Sequence, residues 1–219
     1  MKEQRLTRNE SRLQTRVKLI EAAELVFVRV GFDAASVEQI AAEAGFSRGA
    51  FYSNFESKDE LFLELLDKKR SETQDDLDTI FREKKDAKGR FVAAREWYAN
   101  QSQERTWTVI KTEFSLRALR KRALRKRLST LWQQELETYS ALLDQYFLEA
   151  GLTSPESPRT IAVSLLATAQ GLGMMSLLHS DSVLDCSIAA IRKLAFERLV
   201  PSPSGKVAMG GRPGRKGKR

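Results

Sequence analysis

Ser47, Arg48, Gly49, Tyr52 and Ser53 share one side of a short segment whose other side is anchored by Phe51 and Phe55, four residues apart. Hydroxyls and a guanidinium beside a residue without a side chain make a surface that donates hydrogen bonds and allows close approach. That chemistry suits recognition of an acceptor-rich surface, not the making or breaking of bonds. The rest of the sequence agrees. One histidine, His179, and one cysteine, Cys186, leave neither a metal-ligand set nor a nucleophile–base pair, and no glycine loop is built to cradle phosphates. No catalytic residue, metal or cofactor is therefore expected, and an enzyme is disfavoured. The lone cysteine also excludes an internal disulfide and fits a reducing, cytoplasmic compartment.

The elements that must hold this surface read as helices. Leu19, Ile20, Ala23, Val26, Phe27 and Val30 follow the spacing of one helix face over Thr15 to Val30, and Gly31 is placed to stop it. Ser36 is an N-cap with Gln39 three residues on, opening a second helix that Gly45 ends after little more than two turns. Ser47 caps a third short helix, Arg48 to about Asn54. Ser57 caps a fourth, with Glu60 at its third position and Leu61, Phe62, Leu65 and Leu66 facing inward. Helix, tight glycine turn and short helix is the helix-turn-helix arrangement, whose second helix enters the major groove of DNA.

Downstream the helices lengthen. The spacing predicts a charged stretch from Glu72 to Lys88, punctuated by Gly89. Helices follow over Phe91 to Leu119, Ala123 to Ala150, Arg159 to Leu178 and Val183 to Val200. The apolar run Ile161 to Leu178 is short for a membrane span and includes polar and small residues, so it reads as a buried helix. No membrane partner is expected. The fold class is all-α throughout. Residues 201–219 combine Gly, Pro and Ser with six basic residues and no acid, and read as a disordered basic tail.

The run Gly31-Phe32, Ser36-Val37, Ile40-Ala41, Ala44-Gly45-Phe46-Ser47, Gly49, Phe51-Tyr52, Asn54-Phe55 and Ser57-Lys58-Asp59-Glu60-Leu61 resembles the tetracycline-repressor (TetR) family of bacterial transcription regulators. The resemblance implies a helix-turn-helix domain over 15–57 and an effector-binding and dimerisation domain over 58–200, with residues 1–14 ahead of them read from their charge as a basic arm. It also implies a homodimer formed through about 159–200, a double-stranded DNA operator and a small-molecule effector of unknown identity. Carried over residue by residue, Ser36 matches a phosphate-contacting hydroxyl. Ser47, Arg48 and Gly49 match the start of the recognition helix, where base contacts originate. Tyr52 and Lys58 match phosphate contacts, while Ser53 replaces a histidine often found after that tyrosine. Ser36, Ser47 and Ser57 are equally explained as N-caps, a role compatible with phosphate contact. Arg48 is the candidate for direct readout, because a guanidinium forms two bonds to guanine.

Charge qualifies the picture. The chain carries +8, yet residues 1–200 hold 31 basic against 29 acidic side chains, and residues 1–60 hold nine against ten. A mobile basic arm with Lys2, Arg5, Arg8, Arg12, Arg16 and Lys18 is expected to add affinity without sequence choice. Arg117 to Arg127, seven basic residues without an acid, reads as a solvated amphipathic helix with Leu116, Leu119, Leu124 and Leu128 inward, a second polyanion site being the alternative. The tail resembles an AT-hook only in part, because Gly210 stands where an arginine is needed. Small residues four apart, Ala167 with Gly171 and Ala169 with Gly173, suit a helix packed on both its own domain and a partner subunit. Trp97, Trp107, Phe114, Tyr139, Met174 and Met175 are candidates to line an effector pocket, with plain core as the alternative. His179 reads as a cation at a helix C-terminus. The favoured reading is a dimeric repressor of a palindromic operator. A sequence-independent nucleoid-associated protein, using arm and tail, is the alternative.

Overall fold

The computed structural model describes residues 7–100, 105–178 and 182–203, and among these every regular element is a helix. In chain order they are α1 (Arg8–Val30), α2 (Val37–Glu43), α3 (Arg48–Tyr52), α4 (Lys58–Glu83), α5 (Ala87–Asn100), α6 (Arg105–Leu119), α7 (Arg122–Ala150), α8 (Pro158–Leu178) and α9 (Ser182–Leu199). The caps are where local chemistry puts them. Ser36, Ser47 and Ser57 accept the backbone N–H of Gln39, Ala50 and Glu60. Gly31, Gly45 and Gly151 end their helices with φ of 82°, 74° and 62°. At Gly45 the closure uses two bonds, Phe46 N–H to the Ala41 carbonyl and Gly45 N–H to that of Ala42, a pairing that needs the left-handed residue between them.

Three boundaries differ from the sequence reading. α1 starts at Arg8, because Thr7 and Glu10 form a reciprocal capping box. Arg8, Arg12 and Arg16 therefore belong to a helix rather than a mobile arm; residues 1–6 lie outside the described residues. α4 runs unbroken from Lys58 into the charged stretch read separately from Glu72. Lys68 and Lys69 pair with Glu72, Arg70 pairs with Asp67, and buried Leu77 keeps the helix on the core. The Phe91 to Leu119 stretch is two helices, α5 and α6. Gly89 does not break the chain but lies in the first turn of α5, its N–H bonded to the Asp86 carboxylate at 2.7 Å. The basic tail beyond 203 and His179 also lie outside the described residues.

Two apolar cores result. The first gathers Leu19, Phe27, Phe32, Ile40, Phe51, Phe55 and Phe62 from α1–α4 with Ile110, Phe114 and Ala118 from α6. Phe114 lies 4.3 Å from the Phe62 ring centroid and 5.2 Å from that of Phe32. The second joins α5, α7, α8 and α9 through Phe91, Tyr98, Tyr146, Phe147, Ile161 and Phe196. The first core thus crosses the boundary at residue 57, and α6 is part of the floor under the helix-turn-helix. α8 faces two ways: Ala169 and Gly173 are buried, whereas Ala167 and Gly171 are exposed. A Cβ placed on Gly171 would meet nothing within 4 Å.

Candidate nucleic-acid interface and ligand cavities

α3 is only five residues long, so its orientation is set by what lies beneath it. Phe51 and Phe55 are buried with ring centroids 5.7 Å apart, and the opposite side of α3 is left to solvent. Ser47, Arg48, Gly49, Tyr52 and Ser53 are all exposed there, as the spacing predicted. The caps at Ser36 and Ser47 use each hydroxyl as an acceptor, which leaves both O–H groups able to donate. Capping and phosphate contact are therefore chemically compatible at both serines. Ser53 differs, since its hydroxyl already donates to the Gly49 carbonyl at 2.9 Å.

Arg48 extends from the first turn of α3 with its side chain 64% exposed. Its guanidinium meets Glu38 of α2 at 3.0 Å and lies 5.5 Å from the Tyr52 ring centroid. The Glu38 pair is itself exposed, so it holds the guanidinium weakly and can be exchanged for another acceptor. Gly49 has no demand from within: a Cβ there would meet only the Ser47 hydroxyl, at 3.6 Å. Its missing side chain leaves the outer side of the helix bare.

Lys58 behaves differently from the expectation drawn for it. Its ammonium donates to the carbonyls of Phe32 and Ala35 at 2.6 Å and of Asp33 at 3.3 Å, and sits 4.6 Å from the Phe32 ring centroid. All three N–H bonds are used in holding the α1–α2 turn, which leaves none for a phosphate. Burial pushes its pKa down and the Arg117 charge adds to this, against the opposing charges of Asp33, Asp59 and Glu113. Arg16, read as part of an arm, is likewise scaffold. It bonds the Asn54 carbonyl and the Glu64 carboxylate and lies over the Phe55 ring at 4.1 Å, fixing the end of α3 to α1 and α4.

Two further contacts had no signal in the sequence. The Glu113 carboxylate of α6 accepts the Phe32 N–H at 2.8 Å. Asp59, at the start of α4, accepts from Arg117 at 2.7 Å and from Lys121 at 2.8 Å. Burial raises the Asp59 pKa, but the hydrogen bonds and charges of Lys121 and Arg117 outweigh it and the net direction is down. The chain turns at Arg120 and Lys121, between the helix ends expected at Leu119 and Ala123, so Arg117 to Arg127 is not one amphipathic helix; Leu116 and Leu119, expected inward, are 56% and 64% exposed.

The six residues proposed for an effector pocket do not converge. Trp97 and Tyr139 line a mostly apolar cavity of about 150 Å³ among α4, α5, α7, α8 and α9. Phe114 and Met174 line a separate, larger cavity of about 430 Å³ among α4, α6, α7 and α8. Trp107 lines neither and packs on Phe62 of the first core; Met175 is exposed on α8. Helical spacing marked these side chains as inward without distinguishing which core each one enters. Tyr98 and Tyr146, which sequence reasoning missed, line the smaller cavity, and burial pushes both hydroxyls up to about 12. The Tyr98 hydroxyl donates to the Leu165 carbonyl and that of Tyr146 to Pro201.

Comparison with known proteins agrees with this geometry. Residues 19–65 match the family model described as bacterial regulatory proteins, tetR family. The uncharacterized HTH-type transcriptional regulator YfiR of Bacillus subtilis (strain 168) is 27% identical over 200 residues, spanning 87% of this chain and 94% of that protein. The HTH-type transcriptional regulator TtgR of Pseudomonas putida is 36% identical over 85 residues, 35% of this chain and 40% of TtgR. Among solved structures, a TetR transcription regulator from Haloarcula marismortui superposes with a TM-score of 0.70 at 17% identity, over 86% of this chain and 99% of that one. FadR of Bacillus subtilis, solved in complex with stearoyl-CoA, gives 0.65 at 17% identity, over 85% and 98%. Residues 19–65 are thus a TetR-family helix-turn-helix of the kind found in bacterial transcriptional regulators, and the helical fold of solved TetR-family proteins extends over most of the chain.

Proposed function

We propose that this regulator is a cytoplasmic homodimer that represses transcription from a palindromic operator and leaves it when a small apolar effector binds. The observation behind the reading is the outer side of α3, where the Arg48 guanidinium and Tyr52 are turned to solvent beside Ser47, whose capping bond leaves its O–H able to donate. In this reading Arg48 reads a base edge. Ser36, Ser47 and Tyr52 grip phosphates, and Gly49 lets the helix approach. Lys58 acts indirectly, by fixing the turn that presents Ser36.

Dimerisation is assigned to α8 and α9, about residues 159–200. Val163, Met174, Met175, Ile191 and Leu194 are 40–65% exposed there, beside the open face of Ala167 and Gly171. A cluster of that kind calls for a cover, and a two-fold pairing of the same face supplies one. The effector is assigned to the cavity of Trp97 and Tyr139. α4 forms one wall of that cavity through Leu77 and Phe81, and its first turns hold the helix-turn-helix, so filling the cavity can tilt the DNA-binding surface. FadR's complex with stearoyl-CoA, whose acyl chain is apolar, supports a ligand with a long apolar part in this fold. Effective release requires a differential affinity of several kcal/mol between the two states. The reading is tested by titrating a duplex selected from random sequence. Two protomers per palindrome, with Arg48→Ala losing discrimination against a scrambled duplex, is the expected result. Equal affinity for both duplexes would sink it.

A further inference from the structure

The larger cavity differs in chemistry from the effector site just assigned, and its chemistry stands independently of that assignment. α6 contributes Lys111, α7 Glu135, α4 Arg70 and α8 Gln170, with Leu66, Phe114, Leu128 and Leu131 as the apolar seat. Arg70 is held by Asp67 at 2.8 Å, and Glu135 accepts from the Tyr139 hydroxyl at 3.3 Å. Among the described residues the Lys111 ammonium has no hydrogen bond and no ion pair within 4.0 Å. Burial pushes its pKa down and Arg192 adds to this, while Glu135 opposes. Glu135 is shifted up, because burial outweighs the Lys111 charge, the Tyr139 bond and Arg70. Among the described residues Lys111 is therefore a desolvated cation without a bonded counter-charge.

The shape completes the specification. A cavity of about 430 Å³ lies within the range that holds small molecules. Its rim carries Leu116, Leu119 and Trp132, which are 56%, 64% and 37% exposed. We propose that this cavity is a second ligand site, built for a small amphipathic anion whose carboxylate or sulfonate pairs with Lys111 and whose apolar body lies along the leucines to the rim. Such a ligand touches two parts of the regulator at once. Phe114 forms its inner wall and packs against Phe62, and edge-on against Phe32, beneath the helix-turn-helix. The Tyr139–Glu135 hydrogen bond joins it to the smaller cavity, which Tyr139 also lines. The second site is thereby placed to bias the DNA-binding domain directly and the first site through one hydrogen bond.

The test uses two fluorescent probes that share a ring system, 8-anilinonaphthalene-1-sulfonate and the uncharged N-phenyl-1-naphthylamine, titrated into the full-length protein. Lys111→Met is expected to weaken the sulfonate by about tenfold or more, the magnitude of a charge-assisted bond, and to leave the neutral probe within about twofold. Lys111→Arg should retain sulfonate binding, and Glu135→Gln should strengthen it several-fold. Leu131→Trp, which fills the cavity, should abolish it, whereas Leu165→Trp, which fills the smaller cavity, should not. If Lys111→Met does not fold, as judged by its melting transition, the Lys111→Arg, Glu135→Gln and Leu131→Trp titrations decide. Sulfonate binding insensitive to Leu131→Trp, or lost equally with the neutral probe in Lys111→Met, overturns the proposal. Neither result bears on operator recognition by α3.

Discussion

The carboxylate of Glu113 on α6 accepts the backbone N–H of Phe32 at 2.8 Å, across 81 residues of sequence. Phe32 follows Gly31, whose φ of 82° and ψ of 167° suit glycine alone, and a Cβ on Gly31 would press on the same carboxylate at 3.4 Å. The turn leading into the helix-turn-helix is thus held from the domain behind it. Gly31→Ala is predicted to destabilise the fold by about 1–3 kcal/mol, and Glu113→Ala by about 2 kcal/mol through loss of a charge-assisted bond. Urea unfolding measures both. Wild-type midpoints would show that this contact does not hold the turn.

Lys58 separates two roles by salt dependence. A lysine on a phosphate adds about one to the salt slope of binding, so removing it from both protomers of a dimer lowers the slope by about two. A lysine bonded to three carbonyls does not. Lys58→Met is predicted to lower stability by about 1–3 kcal/mol and to weaken operator binding with the slope unchanged. A slope reduced by about two at wild-type stability would restore the direct phosphate contact.

Asp59 joins α4 to the α6–α7 turn, and its pKa lies below the ordinary 3.8. A carboxylate depressed in the folded state stabilises fully above its unfolded pKa, and that contribution disappears as pH falls through the folded value. Asp59→Asn is therefore predicted to be less stable than wild type at neutral pH, with the difference shrinking below pH 3.8. Chemical denaturation at neutral pH and at about pH 3 measures this window. A constant difference would remove Asp59 as its source.

Gly49 sets stability against function. Nothing in the protein resists a Cβ there, and alanine favours a helix by about 0.5–1 kcal/mol. Gly49→Ala is predicted to be as stable as wild type or more so, yet to bind operator about tenfold or more weakly, a difference of about 1.4 kcal/mol or more. Thermal melting paired with anisotropy titration checks both halves. Unchanged affinity would mean that the helix does not approach DNA closely at this position.

What the sequence disclosed and what it withheld divide along one physical line. Ser36, Ser47 and Ser57 as caps, Gly45 as a turn, and Phe51 and Phe55 as anchors depend on neighbours within five residues, so spacing alone located them. The outward direction of Arg48 and Tyr52 followed from those anchors. The partners of Lys58 are backbone carbonyls, which leave no mark in residue types, and those of Glu113 and Asp59 are 58–81 residues away. Family resemblance placed Lys58 near DNA; the structure commits its charge to the turn instead. The inward pattern of Leu116 and Leu119 failed because α6 turns Ile110, Phe114 and Ala118 to the core, a face that leaves Leu116 and Leu119 outside it. Among the aromatics, Trp107 and Phe114 follow α6 into the first core while Trp97 follows α5 to the second, a choice that depends on helix packing rather than spacing.

Recognition of a specific DNA sequence by α3 is tested most directly by incubating the purified protein with genomic fragments near physiological salt, recovering the bound ones and sequencing them, with Arg48→Ala run in parallel. The account predicts a palindromic motif for the wild type and a motif relaxed at one base pair in each half-site for Arg48→Ala, a loss of about 1–3 kcal/mol of discrimination. Fragments recovered without any shared motif, and equally by both proteins, would contradict it and make this regulator a sequence-independent DNA binder.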